Sequence, residues 1–225
     1  LRLANSAHYG VSRTVSSTAD ASVLLGFSTL RTLVLASGIT GAVQTPGGFD
    51  RKQFWLDNFT VAAISKWLAK YSKVNPETAF TCGMLYSIGE LLIQLILPNE
   101  ADKIKAAVEA GGRLAEVENA MLGYNYSEVG AELATRWKFP DDIVNGIRYH
   151  VKPEAVEDAN VLAGLTHLAV YIQSSQQEGM SGEEIIRNFP KGIASKIGLD
   201  TEKALAEVDK LNGIESGMEA LLNDL

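Results

Sequence analysis

Apolar residues in this chain recur at intervals of three and four, and no stretch shows sustained alternation. The pattern is clearest over residues 51–71, where Phe54, Trp55, Phe59, Ala62, Ala63 and Trp67 fall on one side of a helix. A helix with such a stripe must be covered by other elements, and here the other elements read as helices too, so the spacing predicts an all-α bundle. Asn75 and Pro76 read as an N-cap and first helical residue, opening a helix that continues to Leu97 and stops at Pro98. Further helices are predicted over residues 100–110, 114–122, 127–137, 141–150 and 160–177, separated by Gly111-Gly112, Gly123, Pro140 and Pro153. Ser181 with Glu184 three residues on has the form of a capping box for one more short helix.

The two ends are read more coarsely. Residues 18–25 and 28–35 have the pattern of short helices, and the four glycines and Pro46 between Gly38 and Gly48 indicate a loop. Leu1-Arg2-Leu3-Ala4 reads as the end of a helix whose beginning lies upstream. Residues 201–225 read as two helices interrupted near Asn212-Gly213. Leu205, Val208, Leu211, Ile214, Met218, Leu221 and Leu222 give them one apolar stripe, to be buried on this bundle or on a partner.

Charge and composition narrow the function. With 225 residues and 46% hydrophobic content the chain can bury a sizeable core in one or two domains. The net charge is −7, mostly from the segment after Asp200, and no window gathers Lys and Arg as a phosphate-backbone binder requires. Nucleic acid is therefore not an expected partner. Cys82 stands alone and cannot form an internal disulfide, which fits the reducing cytoplasm; in its apolar stretch it reads as a small buried hydrophobe. The opening residues do not have the pattern of a secretion signal, and residues 84–97 are too short to span a bilayer and are interrupted by Ser87, Glu90 and Gln94. A cytoplasmic protein without a membrane partner is expected.

Five segments in order carry a resemblance. These are Asn5-Ser6-Ala7-His8-Tyr9-Gly10 with Val15-Ser16-Ser17-Thr18 and Leu25-Gly26; Gly83-Met84-Leu85-Tyr86-Ser87-Ile88-Gly89-Glu90-Leu91; Leu122-Gly123-Tyr124-Asn125-Tyr126-Ser127-Glu128-Val129-Gly130-Ala131; Trp137-Lys138-Phe139-Pro140; and Ile147-Arg148-Tyr149-His150. The chain resembles the HDOD domains of the HD hydrolase superfamily from Leu1 to about Ile172. The resemblance implies an all-helical fold in which residues 1–48 are the remainder of a smaller helical part, residues 49–172 form an HD-like bundle, and residues 173–225 cover it.

Active relatives of that superfamily hold metal with His and Asp, whose lone pairs are available near neutral pH, and the metal supplies hydroxide for attack on phosphorus. Here the position of the first histidine falls at Asp57, the His-Asp dyad is Tyr86-Ser87, the next histidine is Tyr126, and the late aspartate after His167-Leu168-Ala169 is Val170. Of a histidine pair, His150 remains, beside Val151. Phenol and alcohol hold their protons far above neutral pH and are poor ligands for hard divalent ions. The resemblance with this departure implies a bacterial signalling or regulatory module without catalysis, metal or other cofactor. Its implied partners are signalling proteins or fused signalling domains, and a small nucleotide-like ligand is a second candidate occupant of the pocket.

The candidate pocket comprises Asp57, Tyr86, Ser87, Glu90, Tyr126, His150 and His167. Asp57 reads as a surviving ligand, as an acceptor for Tyr86 or Tyr126, or as a solvated helix residue. Tyr86 and Tyr126 are expected to hydrogen-bond across the vacated site and to fill it with their rings. Glu90 lies on the Tyr86–Ser87 face, as a pocket carboxylate or a surface group at the helix exit. His150 at a helix end reads as a ligand contact or as a cation favoured by the helix dipole, and His167 as a satisfied core histidine. The competing reading is a phosphohydrolase acting on nucleotides or cyclic dinucleotides, with a site rebuilt from Asp57, Glu90, Glu128, His150 and His167.

Overall fold

A computed structural model describes residues 49–155 and 160–211, and these contain helices and turns but no strand. The readings of residues 1–48, and of the tail beyond Leu211 with Ile214, Met218, Leu221 and Leu222, lie outside the described residues.

The central element is α1 (Arg51–Ala69), started by Asp50, whose carboxylate accepts from the Gln53 amide. Phe54, Leu56, Val61, Ile64 and Leu68 are all buried, so the helix is enclosed on more than the single side its aromatic spacing suggests. It packs on α2 (Pro76–Leu85), capped by the Asn75 side chain with Pro76 in the first turn, and on α8 (Val161–Gln177), capped by Asn160. Between them in sequence run α3 (Ile88–Ile96), α4 (Pro98–Glu109), α5 (Leu114–Leu122), α6 (Tyr126–Arg136) and α7 (Asp141–Tyr149). Gly123 ends α5 with φ 81°, in the left-handed region that suits glycine, and Asn125 with Glu128 forms a reciprocal capping box for α6.

The predicted single helix from Pro76 to Leu97 is two helices. Ser87 leaves helical geometry at φ −108°, ψ 13°, and its hydroxyl and the Asn58 amide hydrogen-bond reciprocally at 2.8 and 3.1 Å. No proline sits at the break, and the Ser87–Asn58 pair ties it to α1. Taken together, residues 76–96 have the length and apolar character to cross a membrane, which corrects the shorter run read from the sequence, but 67% of the relevant window is buried inside the bundle.

After the break, α3 crosses α6 at glycine. A Cβ on Gly89 would lie 2.0 Å from the Tyr126 carbonyl oxygen and 2.6 Å from the Gly130 nitrogen, so only a residue without a side chain permits this approach. The crossing places Glu90, the next residue, on the first turn of α3, and not at a helix exit.

The C-terminal part closes the main core. It contains α9 (Gly182–Asn188), α10 (Lys191–Lys196), which the sequence reading did not identify, and α11 (Thr201–Ala206), with a 3-10 turn over Val208–Leu211. Ile185, Phe189, Ala194, Leu199, Ala204, Val208 and Leu211 bury against the same cluster as Val61, Leu165 and Ile172. The described part of the tail stripe is thus covered by this bundle. The Tyr71 hydroxyl donates to Glu207 at 2.6 Å and the Tyr71 carbonyl accepts from the Asp200 amide at 3.0 Å, tying this segment to the end of α1. The boundary drawn between residues 172 and 173 falls within α8.

Candidate functional site

The predicted site residues separate into two connected groups. Asp57, Tyr86, Ser87 and Glu90 line a cleft of about 420 Å³ between α1, α3, α4 and α5. Tyr126, His150 and His167 form a hydrogen-bonded chain beside it, linked to the first group by Tyr86, whose ring meets His150 edge-on with centroids 5.4 Å apart.

His150 caps α7 and is 2% exposed. Its Nδ1 lies 2.6 Å from the Ile147 carbonyl oxygen, which can only accept, so Nδ1 carries the proton. The lone pair on Nε2 then accepts from the Tyr126 hydroxyl at 3.0 Å. Burial holds His150 well below the usual histidine value, at about 4, so the ring is neutral at physiological pH. The helix-dipole reading, which needs an imidazolium, is therefore corrected. The expected Tyr86–Tyr126 hydrogen bond is replaced by the Tyr126–His150 bond, though both rings pack on His150. His167 Nδ1 donates to the His150 carbonyl at 2.8 Å, in keeping with a satisfied, half-buried histidine.

Asp57 accepts from neither tyrosine. Its Oδ1 receives the side-chain amides of Gln53, Gln173 and Gln177 at 2.9, 3.0 and 2.7 Å. Two of these donors belong to α8, so the carboxylate joins α1 to α8 at the edge of the cleft. Burial raises the Asp57 carboxyl above its ordinary value, and the bonds from Gln53 and Gln177 offset part of that rise.

Asn58, one residue on, was not singled out in the sequence, yet it faces Ser87 and also donates to the Phe54 carbonyl at 2.8 Å. An amide in a run as apolar as residues 54–64 was the available signal. Glu118 was also missed. It is 1% exposed, lines the cleft, and accepts from the Tyr126 backbone amide at 2.6 Å. Burial pushes both Glu90 and Glu118 up to about 7, and Glu90 is raised further by the neighbouring charges of Glu118 and Asp57. Glu128, named in the rebuilt-site reading, is exposed and occupied by the capping box of α6.

The donor set does not fit a divalent metal. Three amides converge on one oxygen of Asp57, the open lone pair of His150 is taken by a phenol, and Asn58 and Ser87 satisfy each other. Among the described residues no three His, Cys, Asp or Glu side chains converge as metal ligands would.

Comparison with known proteins bears on the family. An uncharacterised protein of Treponema pallidum (strain Nichols) is 25% identical over 210 residues, covering 91% of this chain and 40% of that protein, so this chain spans less than half of its relative. Among solved structures, a candidate phosphohydrolase from Shewanella amazonensis is 39% identical with a TM-score of 0.82, covering 99% of this chain and 80% of that one. A candidate signal transduction protein from Marinobacter aquaeolei, 22% identical, shares the fold with a TM-score of 0.77 over 99% of this chain and 50% of that one. The family model of the HDOD domain matches residues 1–153, and the chain belongs to that family.

Proposed function

We propose that this chain is a non-catalytic module of bacterial signal transduction, which binds a ligand or partner group in the cleft and passes the event to a signalling protein or a fused domain in the cytoplasm. The observation that carries this reading is the hydrogen bond from Tyr126 to His150 Nε2 at 3.0 Å. It uses the lone pair with which a surviving histidine would hold a metal. The name of the Marinobacter relative agrees with a signalling role. Among the described residues the lining carries six carboxylates and one lysine, which also disfavours a nucleotide, whose phosphates would meet like charge. A route for output is at hand in Asp57, where a change on the cleft side alters its bonds to Gln173 and Gln177 of α8.

The second reading, a metal-dependent phosphohydrolase, draws on the name of the Shewanella relative. The deciding experiment is metal analysis of the purified protein together with phosphate release from a phosphodiester and from cyclic dinucleotides, with and without added manganese. The signalling reading expects far less than one metal per chain and no release above buffer. Stoichiometric metal with turnover, lost in His150→Ala, would replace it with the enzyme reading.

A further inference from the structure

Two carboxylates in the cleft have no counter-charge among the described residues. The Glu90 carboxylate makes no hydrogen bond or ion pair with any described residue, although it is enclosed enough for burial to dominate its acidity. Glu118 is almost fully buried, and only one of its oxygens is engaged, by the Tyr126 amide. Lys105, the single cation among the described lining residues, is exposed and pairs with neither. Buried carboxylates in this state favour either a proton or a positively charged guest.

The surroundings define the kind of guest. A bare divalent ion needs several oxygens gathered closely about it, and the described acids do not converge in that way. They are distributed instead around a cleft of about 420 Å³, a volume suited to an organic group. Its walls also carry apolar surface: the Phe49 and Phe54 rings, with centroids 5.4 Å apart, and the side chains of Ile93 and Ile104. Aromatic and aliphatic walls favour the stem of a long cationic side chain or amine, with its charged head directed at the acids.

We infer that the cleft between α1, α3, α4 and α5 receives an organic cation, an ammonium or guanidinium group on an apolar stem, whose N–H donors bind Glu90 and Glu118. This rests on the reading of the cleft as a binding site and names the chemistry of its ligand. Two sources present that chemistry: a free polyamine, or a Lys or Arg side chain of a partner. Because Asp57 lines the same cleft, occupancy also acts on the carboxylate that holds α8.

Isothermal titration calorimetry of the parent chain with spermidine, and separately with a short peptide bearing one arginine, tests the inference. At least one of the two titrates saturably, and the arm that binds identifies the source. Glu90→Gln, which stays folded by circular dichroism, weakens that binding about tenfold, the loss of one charge-assisted hydrogen bond. Glu183→Gln, at an exposed position of α9, leaves it unchanged and so separates the cleft from general attraction to an acidic protein. Glu118→Gln repeats the effect if its melting curve matches that of the parent. The inference is overturned if neither probe binds, if folded Glu90→Gln binds as tightly as the parent, or if magnesium displaces the amine as well as an excess of amine does. Failure of both probes removes only the cation assignment, whereas phosphate release in the assay above removes the signalling reading.

Discussion

Replacing Gly89 with alanine tests how strictly the α3–α6 crossing positions the site. The added Cβ would stand 2.0 Å from the Tyr126 carbonyl oxygen and 2.6 Å from the Gly130 nitrogen, where ordinary contact begins near 3.4 Å. Both obstacles are backbone, so no rotamer change relieves them, and the helices must part by more than an ångström. Overpacking against side chains costs about 1–3 kcal/mol, and a clash with backbone on the opposing helix belongs at or above the upper end, about 3 kcal/mol or more. That is a large fraction of a typical total stability of about 5–15 kcal/mol. At roughly 2–4 °C per kcal/mol for a domain of this size, the melting temperature should drop by about 6–12 °C. The atom struck belongs to Tyr126, so the hydroxyl bond to His150 should loosen as well, seen as a shifted His150 ring resonance in NMR. Gly192→Ala is the control: it lies within α10, nothing stands within 4 Å of its added Cβ, and it should stabilise by roughly 0.5–1 kcal/mol through backbone entropy. A Gly89→Ala protein that melts within about 1 kcal/mol of the parent would refute the argument from close approach.

Tyr126→Phe removes the donor to His150 Nε2 and should cost about 1–3 kcal/mol in urea unfolding, because the buried nitrogen loses its partner. Lys138 adopts φ 57°, a left-handed conformation, so Lys138→Gly should raise the unfolding midpoint by the equivalent of roughly 0.5–1 kcal/mol, and a lower midpoint would contradict this. The pH dependence of stability combines opposing groups. Glu90 and Glu118, raised to about 7, keep protons in the folded chain that the unfolded chain has released, so their contribution declines as pH rises through the window up to 7, and Asp57, raised by burial, acts in the same sense. His150, lowered to about 4, acts in the other sense, since below 6.5 the unfolded chain gains a proton that the folded chain refuses. The carboxylates outnumber the imidazole, so the urea midpoint should be higher near about pH 5.5 than near about pH 8, and Glu90→Gln should narrow that difference.

Local chemistry made much of the fold legible. Asn75-Pro76 and Ser181 with Glu184 act as the caps that their residue types suggest, and α5 occupies the predicted residues 114–122. Each of these signals is read within a few residues by the backbone groups it satisfies. The interruption at Ser87 had no such signal, because its partners are remote: Asn58 lies 29 residues earlier, and the glycine crossing beside it meets another helix. α10 is only six residues long, too short for apolar periodicity to stand out from its surroundings.

The site follows the same division. The family segments brought Tyr86, Tyr126 and His150 to one place. Which group bonds to which was a matter of three-dimensional competition. Asp57 is held by Gln173 and Gln177, 116 and 120 residues away, and Tyr126 finds His150 before it finds Tyr86. These bonds satisfy the polar groups of Asp57, Tyr126 and His150, and among the described residues they leave Glu90 without a side-chain partner and Glu118 with one. The chemistry that remains open in this cleft is therefore acidic, and it lies beside His150, whose lone pair is already spent.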